Sequence, residues 1–251
     1  MSKSYLTETA KVILNHRSIR MYKEERIPDE AMAIILNAAQ MAPSSVNGQS
    51  RSVVEVTDGV IKDEIIEIAK KQVWIKPASH FFILCMDFRR AVAAAEKEGK
   101  VNLMVNQTEA LMIGAMDAGL AMANAIAVAE SMGYGACPIG AIRNNPRRVA
   151  ELLDLPEYVY PLNGLVIGVK DEDSATKPRF PETTFHHVGK YHTALVDEQV
   201  TSYDASMAAY MSERSAGDSE RNWSATTATA FSQIKHPDIT AVLKEQGFKL
   251  L

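Results

Sequence analysis

The first residues that could do chemistry form a cationic cluster near the start of the chain, His16–Arg20, of sequence His-Arg-Ser-Ile-Arg. It brings two guanidinium groups, an imidazole and a hydroxyl together, with no acidic residue among them. Because arginine presents a rigid fork of N–H donors that matches phosphate oxygens, the cluster is suited to binding an anion. A second cationic pair follows far downstream in Lys177–Arg179. If the fold joins the two, one phosphate is held from both sides, which predicts a phosphorylated cofactor.

Each cationic segment alone is more typical of a solvated surface turn than of a binding site, because Arg and Lys are mostly exposed. Their occurrence together with a polar loop, Pro43–Gln49, favours the binding interpretation. The chain has neither a G-x-G-x-x-G after a strand nor a G-x-x-x-x-G-K, so neither a dinucleotide-binding fingerprint nor a P-loop is present. The phosphate must therefore be held by side chains and loop amides.

The composition of the 251 residues is that of an ordinary globular protein, with a formal net charge of −4 that argues against broad nucleic-acid binding. Cys85 and Cys137 are isolated, which fits a reducing compartment. The chain shows no secretory leader, and we expect a cytoplasmic protein. His186, His187 and His192 have no further ligand at a convincing spacing, so no metal site is predicted.

Hydrophobic periodicity and turn residues predict several helices among a few strands, which indicates an α+β or α/β fold. The predicted helices are Tyr5–Asn15, Pro28–Gln40, Val60–Lys71, Gln107–Met132, Asn145–Leu153, Val196–Ser212 and Ser224–Gln246. The predicted strands are Ser52–Thr57, Phe81–Asp87, Gly135–Ile139 and Gly164–Val169.

The longest apolar run, Ala110–Met132, is rich in Ala and Gly and is interrupted by Asp117 and Asn124. A membrane-spanning helix needs about 20 strongly apolar residues, so we do not interpret the run as a span. A helix that is apolar all round is buried in a core or at a subunit interface. Its small residues allow close approach of another backbone, and we expect it to be the central helix of a dimer.

Four segments in this order, His16–Arg20, Pro43–Gln49, Gly133–Asn145 and Lys177–Arg179, resemble the FMN-dependent nitroreductase family, in particular its oxygen-insensitive NADPH nitroreductase and flavin reductase branch. The resemblance covers nearly the whole chain. It implies an α+β sandwich, with a central mixed sheet flanked by helices, as an intertwined homodimer. It also implies one domain over 1–251, of which about 196–251 form a helical excursion that wraps around the partner subunit and carries a nucleotide loop.

The same resemblance implies an FMN site at the subunit interface. His16, Arg17 and Ser18 would face the FMN phosphate with the second cationic pair, and Arg20 would lie near the N1–O2 edge of the flavin. The backbone of Ile139, Gly140 and Ala141 would face flavin N5 and O4. The full set of implied FMN-binding residues is His16, Arg17, Ser18, Arg20, Ser44, Ser45, Asn47, Gln49, Gln72, Ile139, Gly140, Ala141, Lys177 and Arg179.

Arg214 stands in the segment Ser212–Ser224, which resembles the branch's mobile loop whose arginine binds the 2′-phosphate of NADPH. Acidic Glu213, Asp218 and Glu220 would oppose that phosphate, yet NADPH is the favoured donor over NADH. The implied activity is ping-pong transfer of hydride from NAD(P)H through FMN to nitroaromatics, quinones or flavins, with no catalytic side chain. Two alternatives stay open, a dedicated NADPH-dependent FMN reductase and a flavin-binding protein without turnover.

Overall fold

The computed structural model describes residues 5–217 and 221–251, and these divide into two compact units. The first unit contains the chain up to Ser174 together with His236–Leu251, and the second contains Ala175–Lys235. The acidic residues Asp218 and Glu220 of the predicted nucleotide loop lie outside the described residues.

Helices dominate the described residues, and strands are found only in the first unit. The helices are α1 (Glu8–Leu14), α2 (Asp29–Gln40), α3 (Gly59–Ile68), α4 (Arg89–Lys97), α5 (Glu109–Ser131), α6 (Pro146–Leu152), α7 (Glu182–Phe185), α8 (Val196–Arg214), α9 (Trp223–Phe231) and α10 (Ile239–Glu245). The strands are β1 (Arg51–Glu55), β2 (His80–Asp87), β3 (Gly135–Ile139) and β4 (Val159–Gly168).

The four strands form one sheet in the order β1-β2-β4-β3. The predicted α+β architecture is confirmed with one correction, because every pairing between the described strands is antiparallel and the sheet is not mixed. The reason is visible between β1 and β2, where Glu55 pairs with Phe82. The connection through α3 therefore leaves and re-enters at the same end of the sheet instead of crossing its length.

Side chains of successive strand residues point to opposite faces, so the sheet separates two cores. Phe81, Ile83 and Cys85 pack on one face with residues of α3 and α6. Phe82 and Leu84 pack on the other face with α2 and α5. Both faces are covered, and this explains why β2 appears in the sequence as an unbroken apolar run.

The long helix α5 confirms the predicted helix of the Ala-rich run to within two residues at each end. Length and composition alone would let it cross a membrane. Its inner face is made of small residues, among them Ala121, Ala125 and Ala129, which pack closely against α2 and the sheet. Its outer face leaves Met112 and Met116 more than half exposed in the subunit.

The single helix predicted over Ser224–Gln246 is wrong, because α9 ends at Phe231 and α10 begins at Ile239. Pro237 between them lacks an N–H and disfavours helical geometry in the preceding residue. After this break Phe248 is fully buried against Phe88 and Tyr158 of the first unit. His236–Leu251, the end of the predicted excursion over about 196–251, belong to the first unit. That the excursion wraps around a partner stays a prediction.

Candidate functional site

The cationic cluster His16–Arg20 lies along the outer edge of β3. The Ile19 N–H donates to the Ala136 carbonyl over 3.1 Å, and Tyr22 donates its hydroxyl to the Ile19 carbonyl over 2.7 Å. Ile19 is buried and packs directly over Gly135, where an added Cβ would lie 2.8 Å from three Ile19 atoms. The absence of a side chain at this glycine thus sets how closely the cluster approaches the sheet.

Carboxylates from distant parts of the chain accompany the cluster, and sequence reasoning missed all of them. His16 Nδ1 lies 2.8 Å from a Glu130 oxygen, and Arg17 donates to Asp173 over 2.7 Å. Glu172 accepts from the backbone N–H of Arg20 and of the next residue. Only the fold brings these acids near, since more than a hundred residues separate them from the cluster.

Arg20 differs from Arg17, because no carboxylate of the residues described forms an ion pair with its guanidinium. Its charge acts on Cys137, the central residue of β3. Burial raises the pKa of the Cys137 thiol, while the Arg20 charge and a hydrogen bond with Ser18 lower it in part. The thiol therefore stays neutral near pH 7 and is not a nucleophile. Ser18 and Arg20 therefore lie close to Cys137, the residue that precedes the segment Pro138–Ala141.

The chain leaves β3 at Ile139 and enters a short 3-10 helix, Gly140–Asn144. An added Cβ at Gly140 would lie 3.0 Å from a guanidinium nitrogen of Arg143. That guanidinium is fixed by hydrogen bonds to the Leu162 carbonyl and the Asn163 side chain, at 2.8 and 3.1 Å. A side chain at position 140 would therefore crowd a guanidinium that is already held in place.

The predicted helix Val60–Lys71 ends early, because α3 ends at Ile68 and Gln72 lies beyond it. Lys70 and Lys71 have positive φ values of 59° and 58°, and this left-handed backbone ends the helix early. Gln72 precedes a short turn whose Trp74 ring lies 6.4 Å from the ring of Tyr22. The turn thus lies on the same side of the sheet as the cationic cluster.

The polar loop that carries Ser44, Ser45, Asn47 and Gln49 joins α2 to β1. Its backbone is strained, because Val46, Asn47 and Gln49 all have φ near +50°. For residues other than glycine such a conformation costs about 1–3 kcal/mol each, and a β-branched residue adopts it least readily. Val46 is also 99% exposed. The loop is therefore held in this shape by its neighbours.

The predicted FMN-binding residues of the first unit fall into two groups at opposite edges of the sheet. The cluster His16–Arg20 and the segment Ile139–Ala141 belong to the β3 edge, whereas the loop Ser44–Gln49 leads into β1. Three strand spacings separate β1 from β3, which is about 14 Å. Within one subunit the structure therefore does not bring the two groups together.

Lys177, Arg179 and Arg214 belong to the second unit. Arg179 turns back to donate to the Lys177 carbonyl over 2.8 Å. The next residue, Phe180, packs against the rings of Tyr203, tilted by 30°, and Trp223, edge to face, with ring centroids 4.0 and 4.9 Å away. These rings tie the cationic turn to the start of α9, so it is close to the end of the nucleotide loop.

Arg214 is the last residue of α8 and is exposed. The α9 N-terminus that follows the loop is fixed by Asp204, which accepts from the Ser224 N–H over 2.7 Å. This backbone hydrogen bond holds the pKa of Asp204 below its usual range. The hydrogen bond from Ser224 to Asp204 therefore joins α8 to the start of α9.

The chain matches the models of a known protein family over most of its length. The model of the nitroreductase family matches residues 13–169, and the model of its C-terminal domain matches residues 177–251. An NAD(P)H FMN reductase of Bacillus subtilis is 42% identical over 98% of this chain and 99% of its own length. An NADPH FMN reductase of the same organism is 34% identical over 97% and 99%. The structure of NfrA2 from B. megaterium superposes with a TM-score of 0.95, at 42% identity, over 98% of this chain and 99% of that one.

The contact between Gly135 and Ile19 gives a direct test of how the cluster is positioned. We expect Gly135→Ala to destabilise the protein by about 1–3 kcal/mol, because the buried Ile19 must move away from the new methyl group. Gly59→Ala is the matched control, since no atom lies within 4 Å of its added Cβ. Chemical denaturation measures both. Equal unfolding free energies for the two variants would contradict the packing described.

Proposed function

Because the chain belongs to the nitroreductase family, we propose that it is an FMN-dependent oxidoreductase with NAD(P)H as electron donor, NADPH being favoured. By a ping-pong mechanism it would reduce nitroaromatics, quinones or flavins. The observation that carries the proposal is the donor set along β3, where Ser18 and Arg20 act on Cys137 and the chain then leaves the strand at Ile139 to enter Gly140.

The residues present fit FMN. A phosphate needs fixed cationic and N–H donors, and the His16–Arg20 segment supplies both from a backbone bonded to β3. Arg20 lacks a carboxylate partner in the part of the chain that the structure describes, so its charge is available to the flavin. Asp173, which pairs with Arg17, is exposed and can give way to a phosphate at little cost.

We infer a homodimer with the FMN sites at its seam. The strand that the polar loop enters, β1, lies about 14 Å across the sheet from β3, which bears the cluster. One flavin would therefore contact the cluster of one subunit and the loop of its partner. The outer face of α5 supports such a seam, because Met112, Met116 and Leu120 recur every four residues and are exposed in the subunit. A second copy would bury this apolar stripe.

Lys177 and Arg179 are proposed to supply the remaining cations around the FMN phosphate. Both are exposed, and no ion pair with a carboxylate of residues 5–217 or 221–251 engages either of them. The aromatic stack of Phe180, Tyr203 and Trp223 would keep this turn rigid. A preformed turn loses little conformational entropy when an anion binds.

The side chains of this protein bind and orient rather than exchange protons. When bound, FMN supplies the chemistry by accepting hydride from the nucleotide and passing electrons on to the acceptor. The Arg20 charge would stabilise the negative charge of the reduced state without rearrangement. The neutral thiol of Cys137 takes no part. No catalytic side chain is therefore proposed.

A second candidate, a dedicated flavin reductase, is favoured by the names of the two Bacillus subtilis relatives. It shares the site and the donor with the first and differs only in the acceptor. Turnover with excess free FMN, compared with turnover of a nitrofuran, separates the two. The cytoplasmic location stays a prediction.

Titration of the purified protein with FMN tests the proposed function. We expect saturable binding followed by rapid bleaching of the visible flavin absorbance when NADPH is added without oxygen, and recovery of the colour when a quinone is added. The free flavin with NADPH serves as the control. A protein that neither binds FMN nor accelerates NADPH oxidation in its presence would contradict the proposal.

Arg214→Ala tests the nucleotide loop. Loss of a charge-assisted contact to the 2′-phosphate should raise the KM for NADPH about tenfold. FMN affinity and the KM for NADH, which has no 2′-phosphate, should stay within about twofold because neither uses that contact. Steady-state kinetics with both nucleotides provide the measurement. An unchanged KM for NADPH would show that Arg214 has no role in donor recognition.

A further inference from the structure

Asp117 is a buried carboxylate that the proposed reaction does not use. It lies on the inner face of α5, is 2% exposed, and its helical neighbours on that face are Ala and Gly. A charge in such surroundings is costly unless hydrogen bonds and a counter-charge compensate it. The hydrogen-bond and charge partners of Asp117 therefore explain why an acidic residue is found on a helix face of small, closely packed residues.

Both oxygens of Asp117 accept hydrogen bonds from the polar loop. One accepts from the backbone N–H of Ser45 over 3.1 Å, and the other accepts from that of Ser50 over 3.0 Å. These two donors stand on either side of the three residues with positive φ. The carboxylate thus closes the ends of the strained segment onto α5.

Arg51 supplies the counter-charge of Asp117, and we call this pair, with the two loop N–H groups, the loop anchor. A guanidinium nitrogen lies 3.8 Å from Asp117, and its side chain is only 8% exposed. The other terminal nitrogen donates to the carbonyls of Gln40 and Ala42, at 2.9 and 2.6 Å. The pair therefore ties the end of α2, the start of β1 and α5 together around the loop.

We propose that Asp117 is a positioning residue of the FMN site, which holds the Ser44–Gln49 loop in the strained shape that is offered to the flavin across the subunit seam. The inference rests on the proposed function, because it assigns a purpose to the loop that the anchor holds. Asp117 touches neither cofactor nor substrate and acts through the backbone of Ser45 and Ser50. The position of Asp117 suits this role, because α5 carries Asp117 on its inner face and, on its outer face, the apolar stripe that is proposed to contact the partner subunit.

The test compares Asp117→Asn with Asn124→Ala. The asparagine is of equal size but has one acceptor oxygen and no charge, so one loop N–H and Arg51 lose their partner. Asn124 is the matched control, because it is on the same helix and donates to the Ala38 carbonyl over 3.0 Å without touching the loop. Asp117→Ser, which is smaller and also uncharged, is a second variant for use if Asp117→Asn does not fold.

Two measurements are made on each variant. The rate of hydrogen exchange in the peptide covering residues 43–50 should rise about tenfold in the FMN-free Asp117 variants and stay unchanged in Asn124→Ala. A tenfold rise is the size expected when one hydrogen bond to a charged group is lost. The dissociation constant for FMN should rise by a similar factor in the Asp117 variants only. A general loosening of α5 would instead raise the exchange rate and the dissociation constant for FMN in Asn124→Ala as well.

Unchanged exchange in the Asp117 variants, or an equal effect of Asn124→Ala, would overturn the inference. Faster exchange without weaker FMN binding would also overturn it, because the loop shape would then not matter to the flavin. Failure of the wild-type protein to bind FMN would instead refute the proposed function, and the exchange measurement would still report the anchor itself.

Discussion

The width of the sheet is the constraint on which the proposed site depends. Antiparallel pairing in the order β1-β2-β4-β3 puts the polar loop at one edge and the cationic cluster at the other. Strand spacing alone keeps them about 14 Å apart, and no side-chain movement closes that distance. We therefore propose that a cofactor that needs both groups lies between two subunits. Dimerisation in this account completes the site and is not an addition to it.

The two halves of the site are built on opposite physical principles. At the β3 edge, cations are held by backbone contacts to the sheet and are partly neutralised by Glu130 and Asp173, so binding an anion exchanges one set of charge partners for another. At the β1 edge, a backbone that is intrinsically unfavourable is held by its hydrogen bonds to the buried Asp117, whose counter-charge is Arg51. Both groups are held in place before a ligand binds, so that less conformational entropy is lost on binding.

The sequence predicted the long helix and three of the strands closely, because the apolar period and β-branched runs are local signals. That the cationic and polar segments form one site stays a prediction. The sequence did not predict the start of β4, where Pro161 and Asn163 interrupt the strand pattern, nor the helix break before α10. The carboxylates beside the cluster could not be found, since they are distant in sequence. Asp117 did leave a signal, as a lone acid in an apolar run, but its partners were set by the tertiary fold.

The most direct measurement of the central claim is FMN binding to mixed dimers. One subunit carries a cluster change, Arg17→Ala with Arg20→Ala, and the other carries a loop change, Ser44→Ala with Asn47→Ala and Gln49→Ala. Each homodimer should bind FMN weakly. If every flavin is shared between the cluster of one subunit and the loop of the other, the mixed dimer has one intact site and regains about half of the wild-type binding capacity. A mixed dimer that regains none would contradict the account, because the cluster and the loop would then serve the same flavin from the same chain.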